Sequence, residues 1–159
     1  PPPPPPPPHP PPPPPPPPTP GLGRRQRQMC IRDSFSKAND VAKIMQMYLQ
    51  GGYYGGDRFM DSRTVDKFNR CYFCNRDVRR GVGFDKPQLE EYGPTCGCVS
   101  HRSFGHSGFT GTFTWADPDT GILYVFLSNR TYPSATNTLL IRSDLRTRIQ
   151  QAIYDSIIE

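Results

Sequence analysis

Residues 36–159 predict an α+β fold: a small antiparallel sheet with a C-terminal helix packed on it. Three observations predict it. Hydrophobic residues recur at helical spacing before Asn69 and alternate after His101. Two strand-like runs, 109–115 and 122–128, flank Asp117-Pro118-Asp119-Thr120-Gly121, with Pro and Gly where a hairpin turn takes them. Finally, Leu145, Ile149, Ala152, Ile153 and Ile157 form one apolar stripe at helical spacing.

The chain divides near residue 35. Residues 1–20 hold 18 of the 22 prolines, broken only by His9 and Thr19. Such a tract lacks backbone donors, so it forms neither helix nor ladder and is disordered or polyproline II. Residues 1–35 therefore make a proline-rich, basic, low-complexity tail. Arg27-Gln28-Met29-Cys30-Ile31-Arg32-Asp33-Ser34 resembles translated adapter DNA, and a C-rich repeat encodes polyproline; an assembly artefact and a proline-rich ligand arm both remain open. With no initiating Met, the chain reads as a fragment.

Within 36–159, Ser36 is placed to cap a first helix carrying Val41, Ile44, Met45 and Tyr48 on one face, stopped by Gly51-Gly52. After a Gly/Tyr loop, a short helix is predicted from Asp61 or Ser62, with Val65 and Phe68 together. Asn69 to His101 reads as loop, rich in Cys, Arg, Gly and Pro. The strands and the terminal helix complete the order.

The net charge of +5 resides mostly in the tail, and no basic face interleaved with aromatics exists, which argues against a nucleic-acid partner. Arg76, Arg79 and Arg80 read as a solvated loop. No apolar stretch spans a membrane, and the N-terminus lacks a signal-peptide core. Oligomeric state is not legible.

Six features bear on chemistry. Gly105-His106-Ser107-Gly108-Phe109-Thr110-Gly111-Thr112 is an edge-strand run pairing a titratable ring and a hydroxyl with glycines that permit close approach. Cys71-x-x-Cys74 and Cys96-x-Cys98 admit three states: a tetrahedral zinc, two disulfides, or free thiols. Ser34-Phe35-Ser36-Lys37 formally matches S-x-x-K but lies at the junction with the tail. Asp117-x-Asp119-x-Gly121 lacks the rest of a calcium loop, Asn129-Arg130-Thr131 is a sequon that reads as a strand end, and His101 reads as a loop residue.

As an ordered set, 36–52, 83–87 with 103–112, and 123–129 with the terminal helix resemble the C-terminal part of the serine β-lactamase and penicillin-binding-protein-like family, on its class C and esterase side, of the Bacteroidetes type. The resemblance implies a partial β-lactamase/transpeptidase-like fold. His106-Ser107-Gly108 matches that family's K-[ST]-G strand, with histidine in the lysine position. Ser107 would then bind substrate or its carboxylate, Gly108 would let substrate lie against the strand, and the Phe109 N–H would be an oxyanion-hole donor. The 72 residues from Ser34 to His106 are too few for the family's first-to-third motif distance, and no Y-x-N lies between them. The nucleophile and its base are thus expected outside this chain, leaving it inactive alone. By resemblance the intact parent would act on a small-molecule or cell-wall-derived substrate in the periplasm or cell envelope, without a cofactor. The alternative is a small cysteine-stapled binding module, held by zinc or disulfides, with a proline-rich ligand arm.

Overall fold

The computed structural model describes residues 36–76, 78–88 and 93–157. The tail, Cys30 and Ser34 lie outside the described residues.

Helix α1 (Ala38–Leu49) follows the apolar spacing predicted for it, with two differences. Its N-cap is Lys37, without a side-chain cap; Ser36 Oγ donates instead to the Lys37 carbonyl at 3.3 Å. Ile44 is exposed, and the inward face comprises Val41, Met45, Tyr48 and Leu49. Gly51 and Gly52 end the helix with φ of +64° and +99°, and Gly52 N–H closes onto the Met47 carbonyl at 2.8 Å. The Gly/Tyr loop is itself a hairpin: β1 (Tyr53–Tyr54) pairs with β2 (Asp57–Arg58) across Gly55-Gly56. Helix α2 (Ser62–Asn69) begins where expected, Asp61 Oδ1 accepting from Arg63 N–H at 2.9 Å.

The long segment after α2 contains a 3-10 turn (Cys74–Arg76) and isolated bridges that join Arg80 to Asp85 and Asp85 to Gly105. It delivers the chain to an antiparallel sheet of order β3-β4-β5, comprising Phe104–Ser107, Phe113–Asp117 and Ile122–Phe126. The expected strand 109–115 is therefore cut. Residues 108–112 form a turn instead, with Gly108 N–H bonded to the Thr112 carbonyl at 2.8 Å and Gly111 N–H to Gly108 at 2.9 Å. A short helix α3 (Leu139–Arg142), which no periodic pattern announced, precedes α4 (Leu145–Asp155).

Three layers result, each a consequence of period-two alternation in β4. Phe113 and Trp115 point to the α4 side and pack with Tyr124, Tyr154, Val99 and Cys96. Ala116 points to the α1 side, with Phe104 and Met45. The α4 stripe differs from the predicted one: Leu145, Ala152 and Ile157 are exposed, while Gln150 and Tyr154 are buried. Polar partners explain this shift, because Gln150 Oε1 accepts from Cys96 N–H at 3.0 Å and the Tyr154 hydroxyl donates to Asp117 at 2.8 Å. Among the described residues no helix is long and apolar enough to cross a membrane.

The cysteines resolve as two disulfides, Cys71–Cys74 and Cys96–Cys98, with Cα–Cα distances of 5.7 and 5.2 Å. This corrects both the zinc and the free-thiol alternatives, since none of the four sulfurs remains as a thiolate ligand. A denaturing thiol count should rise by four upon reduction. A stoichiometric zinc in the unreduced protein would contradict the pairing.

Candidate functional site

The backbone of β3 determines what its outer edge offers. Gly105 exchanges both backbone hydrogen bonds with Asp85, N–H to carbonyl at 3.1 Å and carbonyl from N–H at 2.8 Å, so its polar groups point away from β4. His106 lies opposite Thr114, and Ser107 opposite Phe113. In an antiparallel ladder the direction alternates, so His106 bonds inward to β4 while Ser107, like Gly105, presents its N–H and carbonyl outward. The Asp85 bridge ends at Gly105, leaving Ser107 at an open edge. Phe109 N–H has no backbone acceptor among the described residues.

The side chains divide between the faces. His106 shares the α1 face with Phe104, and Ser107 shares the face of Phe113 and Trp115. Both are half-buried, and neither has a side-chain hydrogen bond among the described residues. Gly108 lies just past the strand, where a Cβ would collide with Thr112 Oγ1. The structure thus brings His106, Ser107, Gly108 and Phe109 together as one strand end and turn. Lys37 is exposed at the start of α1.

The turn carries two cations that sequence spacing did not single out. Arg130 stacks its guanidinium 4.5 Å from the centre of the exposed Phe109 ring, while its N–H donates to the Thr110 carbonyl at 2.9 Å. Its side chain also donates to the Asn137 carbonyl at 3.0 Å. On the other side, Arg146 lies 5.6 Å from the Phe113 ring centre. Burial lowers the Arg146 pKa from its ordinary value, and the Arg130 charge adds to this. Both arginines come from segments after β5, 18 and 34 residues beyond Thr112 at the end of the turn, so local spacing carried no signal of them. Thr114, directly across from His106, has a buried hydroxyl without a partner among the described residues.

A family model described as Beta-lactamase matches residues 2–147. Proteins named "Putative D-alanyl-D-alanine carboxypeptidase" from Salmonella agona (strain SL483) and Salmonella typhi are each 36% identical over 104 residues, covering 65% of this chain and 24% of theirs. The chain thus spans about a quarter of the length of these curated relatives. A solved structure titled "Crystal structure of putative beta-lactamase from Bacteroides dorei DSM 17855" aligns with a TM-score of 0.38 at 13% identity, over 70% of this chain and 40% of that one. The matched family covers most of the chain, including every strand of the sheet and the Gly105–Thr112 run: this protein belongs to the beta-lactamase family, the serine β-lactamase and penicillin-binding-protein-like hydrolases.

Proposed function

We propose that this chain supplies the substrate-binding wall of a serine hydrolase pocket and is inactive alone. The supporting observation is the open outer edge of β3 beyond the Asp85–Gly105 bridge, where Ser107 offers both backbone groups and a hydroxyl. An extended acyl substrate can add to such an edge as a strand does, its amides pairing with the Ser107 N–H and carbonyl. Gly108 keeps that approach clear, and the Phe109 N–H, which has no backbone acceptor among the described residues, would donate to an oxyanion. Losing one such donor typically costs on the order of 3 kcal/mol of transition-state stabilisation. His106 contributes positive charge only when protonated. Arg130 and Arg146 give the neighbouring turn a fixed positive field, which suits a substrate carboxylate.

The attacking group is the missing half. Acyl transfer needs a serine beside its base, and no described serine stands at the buried start of a helix facing this edge. In the intact parent, upstream sequence would supply them, acting on an ester, amide or peptidoglycan-derived bond in the cell envelope.

The full chain should therefore turn over neither nitrocefin nor p-nitrophenyl esters, and a fluorophosphonate should leave its mass unchanged. A stoichiometric serine adduct would overturn the proposal, with Ser34 the first residue to map. Binding without turnover is the positive side of the test. A β-lactam or a D-alanyl-D-alanine peptide, at a Kd of about 1 mM, should shift the Ser107 and Phe109 amide resonances, and Ser107→Ala should weaken both shifts.

A further inference from the structure

Away from the β3 edge, a second cleft of about 490 Å³ opens between the end of α1, α2, the Cys71–Cys74 loop and the start of β3. Its volume is in the range of small-molecule sites. Its deepest charge is Lys86, which is buried yet forms no ion pair among the described residues. The ammonium donates to the Arg102 carbonyl at 3.0 Å and lies 5.9 Å from the centre of the Phe104 ring. A carbonyl and a ring face compensate little of what a buried cation loses on leaving water. Burial accordingly lowers the Lys86 pKa to about 8, the Arg102 charge adding to the effect and Asp117 opposing it.

The remaining wall does not correct this imbalance. Arg70 and Arg102 also line the cleft, beside the His101 ring, against one carboxylate among the described residues, Asp66. Arg102 already has a partner in Asp119 at 2.8 Å, but Arg70 has none among the described residues. Asn69, on the same wall, holds a buried Oδ1 without a donor. Between these polar groups the lining is apolar, from Val65, Leu49 and Phe104.

We propose that this cleft binds a small organic carboxylate, its charge on the Lys86 ammonium with Arg70 at the rim, and its apolar body against Val65 and Phe104. The charge supplies what the cleft lacks, and the apolar walls favour a carboxylate with a body over a bare inorganic anion. The site is independent of the β3 edge, because Phe104 enters it from the opposite end of the strand to Ser107.

Titration calorimetry of the full chain with benzoate, benzamide and inorganic phosphate tests the proposal. Benzoate should bind saturably at one site, with benzamide and phosphate each at least about tenfold weaker. Lys86→Met, checked for folding by circular dichroism, should abolish benzoate binding; the exposed Arg70→Gln should weaken it several-fold without affecting the fold. Ser107→Ala should leave it unchanged, separating this site from the β3 edge. No benzoate binding, equal binding of phosphate or benzamide, or full binding by Arg70→Gln would overturn the proposal.

Discussion

Asp117→Ala should cost about 4 kcal/mol of folding stability, the loss expected when a buried, hydrogen-bonded charge is removed from its partners. The Asp117 carboxylate is fully buried at the end of β4 and accepts four hydrogen bonds. Ser100 donates its N–H at 2.8 Å and its hydroxyl at 2.6 Å, Asp119 its N–H at 3.0 Å, and Tyr154 its hydroxyl at 2.8 Å. One side chain thereby joins the loop entering β3, the β4–β5 turn and the last helix. Alanine would leave four donors without an acceptor. Asparagine keeps one acceptor oxygen and turns an N–H₂ toward the other donors, so about 2–3 kcal/mol is expected. Tyr154→Phe removes one bond of four and should cost about 1 kcal/mol. Urea denaturation at constant m would measure the series. Equal losses for the three variants would show that Asp117 does not hold these elements together.

The same carboxylate sets an acid limit. Desolvation raises its pKa, but the hydrogen bonds from Ser100, Tyr154 and Asp119 outweigh it, and the folded value lies below the ordinary 3.8. A lowered folded pKa means the unfolded chain binds the proton more readily. Its stabilising contribution is therefore fully present at pH well above the ordinary value of 3.8 and is lost as pH falls toward and through the folded pKa. The gap between wild type and Asp117→Asn should narrow in that window and stay constant at neutral pH.

What the sequence revealed follows the range of the interactions. The α+β class, α1, α2, the β4–β5 hairpin and α4 were legible because period and turn chemistry are local. The faces of α1 and α4 were only half legible. Ile44 and Ile157 fit their stripes yet stay exposed, whereas Gln150 and Tyr154 turn inward because Cys96 N–H and Asp117 meet them there. Periodicity cannot register partners 54 and 37 residues away. The site shows the same division. His106, Ser107, Gly108 and Phe109 were visible as a contiguous run, although the strand ends at Ser107 rather than continuing to Trp115. The flanking arginines and the cleft around Lys86 assemble from segments distant in sequence. Cysteine spacing left three chemical states open, and only the fold, by closing each close pair on itself, chose between them.

Gly105→Ala should be the most damaging single-atom addition near the candidate site, at about 3 kcal/mol. A Cβ at Gly105 would run into the Thr114 carbonyl and the Trp115 ring. Neither can easily give way. The carbonyl belongs to the ladder that sets β3 against β4, and Trp115 is 1% exposed, with its ring stacked on Phe113 at 5.6 Å. Relief by moving β3 would break the Asp85 bridge on its other side and shift Ser107 along the open edge. Relief by moving Trp115 would disturb the α4 core. Trp115→Leu alone should cost about 3 kcal/mol through the space it leaves. Because the smaller side chain makes room for the new methyl, the double variant should lose at least about 1 kcal/mol less than the sum of the singles. Additive losses would locate the strain in the Thr114 carbonyl alone. A cost below about 0.5 kcal/mol for Gly105→Ala would show that the two strands are not held this closely. Close contact at Gly105 is what positions the Ser107 edge, so the substrate-binding proposal depends on the same measurement: if β3 tolerates the methyl, its outer edge has no fixed geometry to offer.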